Sequence, residues 1–208
     1  MLSPGFFRTL FFQKKAFLEK TDFIVFGLGN PGEQYAHTRH NIGFRIADRF
    51  SAFLENRKTM VLKNARVITG TLKKTSMVTV VKPTTFMNKS GAAVTEVLKK
   101  CGFAEKKQKY IVVVDDINIP FGSFRIRGKG THGGHNGLRS IIDSVGPSFS
   151  RLRVGIGPFD KKSGMIDFVL GNFSETEERQ LSEIVTRGSE ILSLCTAEPI
   201  DAVMNKYN

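Results

Sequence analysis

The stretch FIVFGLGNPGEQYAHTRHN, Phe23 to Asn41, constrains this chain more than any other. Phe23, Ile24, Val25 and Phe26 form an apolar run of strand length, and Gly27, Gly29, Asn30, Pro31 and Gly32 break it at once. A buried strand must therefore end in a loop of unusual backbone freedom. Glycines there allow positive φ or a close ligand approach, and Pro31 fixes the turn, so Asn30 projects from a rigid corner. His40 then directly precedes a helical pattern, Phe44, Ala47, Phe50 and Leu54 with Ile46 and Phe53 beside them, that runs to about Asn56. At a helix N-terminus the macrodipole disfavours imidazolium and helps keep a neutral, proton-accepting ring.

Further along, the apolar pattern changes period several times. Ala65 to Thr71 and Met77 to Lys82 read as two strands joined by a turn at Lys73 to Ser76, a hairpin. In KPTTFMNKSG, Pro83 stops the strand and Asn88 or Ser90 is placed to cap a helix carrying Ala93, Val94, Val97 and Leu98, which Gly102 ends. Tyr110 to Val114 is continuous enough to be a central strand buried on both faces, and it ends in Asp115 and Asp116. Carboxylates there sit where open α/β sheets place their crevices.

Two segments alternate arginine with apolar residues: Arg125 and Arg127 around Phe124 and Ile126, then Arg151 and Arg153 around Leu152 and Val154. A period of two puts each arginine pair on one strand face, giving two basic stripes suited to a phosphate backbone. Between them GKGTHGGHNG, residues 128–137, is half glycine and can bare backbone N–H groups to an anion, although no Gly-Lys-Ser/Thr closes it as in a Walker loop. Asn136 and Gly137 open a short helix with Leu138, Ile141, Ile142 and Val145 inward. Residues 157–173 mix turn residues with a short apolar run and are suited to cover a site. Ser174 and Glu177 form a capping box for a long helix, and Pro199 starts a final short one.

With 208 residues and 40% apolar content, one hydrophobic core is the expectation, and no apolar run approaches the roughly 18 residues of a membrane-spanning helix. Two cysteines, Cys101 and Cys195, are too few for a disulfide framework and imply a reducing compartment. A net charge of +12 points to a polyanionic partner. The first 20 residues carry four basic groups and one acid, with Phe6, Phe7, Leu10, Phe11, Phe17 and Leu18 able to share one side. That is the composition of an organellar targeting helix, so mitochondrial import is expected, with a cytoplasmic location the alternative.

Four histidines fall in two pairs, His37 with His40 and His132 with His135. A zinc hydrolase is a rival reading, but no recognised zinc spacing occurs. Metal-free hydrolysis needs a base, a group that orients it and donors for an oxyanion. His40 and Asp115 supply the first two, and Asn30, Asn88 and Asn136 supply amides. No Ser or Cys nucleophile motif is present, which favours direct attack by water.

Taken in order, GLGNPG, YAHTRHNIGF, KPTTFMNKSG, VVDDINIPFG, GTHGGHNGLRSI and RLRVGIG strongly resemble the bacterial-type peptidyl-tRNA hydrolases, from about Phe23 to the C-terminus. The resemblance implies a single α/β domain over residues 21–208, a mixed twisted sheet surrounded by helices, with residues 1–20 as an extension. It implies hydrolysis of the ester joining a peptide to the terminal ribose of peptidyl-tRNA, by a monomer with no cofactor, no metal and no membrane association. His40 then matches the base, Asp115 its orienting acid, Asn30 the amide near the scissile ester, and Asn136 the amide that holds water and stabilises the transition state. Met87 and Asn88 match the peptide-contacting pair, Tyr35 and His135 line the same cleft, and Arg127 with Arg153 matches the pair that holds the tRNA 5′ phosphate. Asn118 stands where many relatives have a carboxylate, and Asp116 replaces a frequent Glu. Some relatives of this fold are non-catalytic RNA-binding splicing cofactors, which need the arginine stripes without the base.

Overall fold

Which apolar runs become interior strands decides where the site forms. The computed structural model describes Leu18 and residues 20–102, 109–159 and 164–208. Strand β1 (Phe23–Gly27) is buried along its whole length and passes through the glycine corner and a 3₁₀ turn, Arg39–Asn41, into helix α1 (Ile42–Ser51). Strands β2 (Glu55–Val61), β3 (Ala65–Leu72) and β4 (Ser76–Pro83) follow as an antiparallel meander, then helix α2 (Ser90–Lys100). Next come β5 (Lys109–Pro120), β6 (Phe124–Arg127), α3 (Asn136–Val145), β7 (Ser150–Gly157), α4 (Met165–Leu170), α5 (Glu175–Ala197) and α6 (Ile200–Tyr207).

The seven strands form one mixed sheet of order β2-β3-β4-β1-β5-β7-β6. The unalternated runs take its middle: β1 pairs parallel with both β4 and β5, and β5 pairs parallel with β7. Odd positions of β1 and β5, such as Val25, Ile111 and Val113, pack under Ile46 and Phe50 of α1 and Leu181 and Ile191 of α5. Even positions, such as Ile24, Phe26 and Val112, pack under Val94 and Val97 of α2 and Leu138 and Ile141 of α3. This is the expected α/β sheet enclosed by helices. Among the described residues no helix is long and apolar enough to cross a membrane. The expected extension, residues 1–20, lies outside the described residues except for Leu18, which is buried in the core, and Lys20.

Four local expectations are corrected. The first helix stops at Ser51 rather than near Asn56, because Glu55–Val61 is an edge strand. Only Met60 of its seven residues is buried, so no alternation betrays it. Neither Asn88 nor Ser90 caps α2: a 3₁₀ turn, Met87–Lys89, precedes the helix, and the Ser90 hydroxyl donates back to the Met87 carbonyl at 2.8 Å. Strand β5 does not end at Asp116 but continues to Pro120 through an irregular register against β7. Finally, Arg151 belongs to no basic surface stripe. It is 2% exposed and donates to the carbonyls of Gly130, Thr131, Pro147 and Phe149, with its guanidinium 4.2 Å from the Phe149 ring centroid. Alternation put it on a face; only the glycine loop folding over that face shows that the face is inside.

Replacing Arg151 with Met therefore leaves buried carbonyls without a donor and should cost about 3 kcal/mol in urea denaturation. Arg127→Met, on the edge strand, should stay within about 0.5 kcal/mol. Equal effects of the two changes would contradict the assignment of Arg151 to the interior.

Candidate active site

Helix α1 begins pressed against the end of β1 and the middle of β5. A Cβ on Gly43 would lie 2.5 Å from the Leu28 carbonyl oxygen and 2.6 Å from that of Val113, so only glycine allows this approach. The close contact carries the 3₁₀ turn, and with it His40, over the carboxylate of Asp115.

The Asp115 carboxylate is buried, and one of its oxygens, Oδ1, takes two imidazole contacts: His40 Nδ1 at 2.8 Å and His135 Nε2 at 3.1 Å. Hydrogen bonding sets the tautomers. His135 is the N-cap of α3, and its Nδ1 accepts from the backbone N–H groups of Gly137 and Leu138, so its proton sits on Nε2 and points at Asp115. His40 likewise donates from Nδ1, which leaves its Nε2 with a free lone pair.

Two pKa values follow from this arrangement. Burial alone would push the Asp115 carboxyl up, but attraction to His40 and His135 and the hydrogen bonds from both rings reverse this and hold it far below the usual carboxylate range. Burial also lowers the His40 imidazole, yet the Asp115 charge and hydrogen bond together outweigh it and raise the pKa. The shift is opposite to the one expected from the helix terminus, since a carboxylate in direct contact outweighs a partial dipole charge.

Asn30 is fixed at both ends. Its backbone N–H donates to Asn41 Oδ1 at 2.8 Å, and Asn41 Nδ2 donates to the Asn30 carbonyl at 3.0 Å. The Asn30 side-chain oxygen accepts the Met87 N–H at 2.8 Å, which leaves Nδ2 as the donor it can offer a substrate. Asn41 is a supporting residue that the sequence reading missed. A clamp on a backbone eleven residues away leaves no local signal in the sequence.

One cleft is lined by His40, Asp115, His135, Asn136, Arg153 and the α4 side chains Met165 and Ile166. Of the segment expected to cover a site, residues 157–173, Met165, Ile166 and Val169 line this cleft, and residues 160–163 lie outside the described residues. Tyr35, half-buried, packs edge-on to exposed Phe86 with ring centroids 6.2 Å apart, while Asn88 is exposed beside buried Met87. Arg127 lies apart from this cleft on the edge strand and donates to the Ile126 carbonyl. Arg153 Nε is 2.6 Å from Asp116 Oδ2, an ion pair rather than an aligned hydrogen bond, and Asp116 Oδ1 accepts the Asn118 N–H.

The histidines do not work in their sequence pairs. His37 contacts Arg45, His132 accepts the Gly134 N–H, and one member of each pair meets at Asp115. His40, Asp115 and His135 bring ligand-type atoms within 4.8 Å of one another. Metal ligation fits them poorly, because the His135 Nδ1 lone pair is already taken by two N–H donors. Ligation through its Nε2 would require an imidazolate.

A family model described as peptidyl-tRNA hydrolase matches residues 24–208. A protein named peptidyl-tRNA hydrolase from Fervidobacterium nodosum is 40% identical over 185 residues, covering 89% of this chain and 95% of its own. Another, from Thermotoga sp. strain RQ2, is 43% identical over 192 residues, covering 89% and 96%. Among solved structures, peptidyl-tRNA hydrolase from Acinetobacter baumannii matches with a TM-score of 0.79 at 30% identity, covering 91% of this chain and 95% of that one.

Because Asp115 alone opposes the effect of burial on His40, Asp115→Asn should drop the His40 pKa below the value of about 6.5 for a free histidine, as read by NMR titration. An unchanged midpoint would remove Asp115 from the account.

Proposed function

The chain belongs to the peptidyl-tRNA hydrolase family, and from that premise we propose that it cleaves the ester between a peptide and the 3′-terminal ribose of tRNA with His40 as general base. One observation supports the reading above others: His40 lines the cleft and is held through Nδ1 by Asp115 at 2.8 Å, which leaves Nε2 as the proton acceptor.

In this scheme His40 Nε2 takes a proton from water as the water oxygen attacks the ester carbonyl. Negative charge develops on the carbonyl oxygen, where the side-chain amides of Asn30 and Asn136 serve as neutral donors. Asp115 steadies the imidazolium that forms, and its fixed position keeps the ring from turning. Collapse of the tetrahedral intermediate breaks the bond to the ribose oxygen, which takes the proton back from His40. Peptide acid and free tRNA leave, and the enzyme regains its starting protonation. No acyl-enzyme is needed, in keeping with direct attack by water.

Recognition divides between the two products. Tyr35, Met87, Asn88 and His135 are the substrate-contacting set, and the exposed Asn88 amide can pair with peptide backbone. Arg127 and Arg153 are the phosphate-binding pair, within a chain of net charge +12. Pairing of Arg153 through Nε leaves its two terminal amino groups for an anion. The protein works as a monomer, and its basic, apolar first 20 residues direct it to the mitochondrion.

Turnover in His40→Ala should fall by about 10² to 10⁴ while tRNA binding persists; unchanged turnover would remove the base. The rate should rise with pH as His40 loses its proton, with a midpoint above about 6.5 because the folded pKa is raised. Arg127→Ala should weaken tRNA binding and reduce the salt slope by about one, as expected for one lost phosphate contact. Binding that keeps its salt slope would exclude Arg127 from the phosphate pair. Fused to a fluorescent protein, residues 1–20 should carry it into mitochondria; diffuse fluorescence would favour the cytoplasm.

A further inference from the structure

Helix α4 is six residues long and has no buried residue, yet it forms a wall of the His40 cleft. So short a helix is not stable alone, and its place must come from outside ties. Met165 and Ile166 are 47% and 68% exposed toward a cleft they help line. Apolar side chains displayed in this way are suited to being covered by a ligand.

The ties converge on the residue next to His40. Arg39 Nη1 donates to the Asn172 carbonyl at 2.7 Å and reaches that of Phe168 at 3.5 Å, while Nη2 donates to Glu177 Oε2 at 2.8 Å. Glu177 is the same carboxylate that closes the capping box of α5. The guanidinium also lies 4.6 Å from the Phe168 ring centroid and 5.4 Å from that of Phe173. Its backbone N–H donates to the Gly171 carbonyl at 3.0 Å, and Thr38 forms a bridge with Asn172. A flat cation with a fork of donors thus fastens the end of α4 to the turn that carries His40.

We propose that Arg39 is a positioning residue: it fixes α4 at a set distance from His40, so that Met165 and Ile166 form a substrate-contacting wall whose grip depends on the Arg39 fork. This deepens the hydrolase reading and rests on it. Arg39 does not touch Asp115, so its loss should alter binding without altering the base.

Kinetics of the full chain on N-blocked aminoacyl-tRNA, with amide exchange over residues 164–173, test the proposal. Arg39→Ala should raise KM about tenfold, the equivalent of one charge-assisted hydrogen bond, and change kcat by less than about twofold. The pH midpoint assigned to His40 should stay fixed, and faster exchange should be confined to that segment. Arg39→Lys should not restore KM, because an ammonium cannot span two carbonyls and a carboxylate in one plane. Ile166→Ser, at a position too exposed to threaten folding, should raise KM in the same direction, and adding Arg39→Ala should do little more. Unchanged KM in Ile166→Ser, additive effects in the double variant, or faster exchange throughout the chain would overturn it. Failure of the hydrolase reading itself would show separately, as undiminished turnover in His40→Ala.

Discussion

A single buried carboxylate oxygen, shared by two imidazoles, is the contact on which the site depends. Asp115 Oδ1 can take hydrogen bonds from both rings only if each presents an N–H. That requirement settles two tautomers at once. It also explains why a carboxylate can stay ionised while almost wholly buried, since a buried charge needs hydrogen-bond partners and here has two. His135 is the less conspicuous half of the arrangement. By capping α3 through Nδ1 it is locked as a donor toward Asp115, while His40 keeps a lone pair on Nε2.

The fold supplies this contact by simple means. Strand β1 ends beside Val113 of the longer β5, a glycine allows α1 to start directly upon them, and a glycine-rich loop returns α3 from the opposite face. Asp115 is thereby met by one histidine from each side of the sheet. The corner that precedes α1 is clamped by Asn41, which ties the Asn30 backbone to the turn that carries His40. Arg39, in the same turn, is tied to the segment that follows the helix lining the cleft.

Much of the arrangement was legible in the sequence where a physical rule acts locally. The interior strands, the β3–β4 hairpin, the capping box of α5 and the His40 position before α1 all follow from apolar period and cap chemistry. What escaped depends on contacts between distant segments. Strand β2 carries almost no buried side chain and so leaves no pattern; it forms because β3 offers an open edge. Arg151 alternates as faithfully as Arg153, and only the loop closing above it makes it interior. The direction of the His40 pKa shift was misread because the dipole is visible in sequence while the distance to Asp115 is not. The pairing of histidines across their sequence pairs was hidden for the same reason.

The most direct test is to read the tautomers of His40 and His135 by nitrogen-resolved NMR at a pH where both rings are neutral. The hydrogen is expected on Nδ1 of His40 and on Nε2 of His135. Finding the hydrogen of His40 on Nε2 would leave no lone pair facing the cleft and would contradict its role as the base.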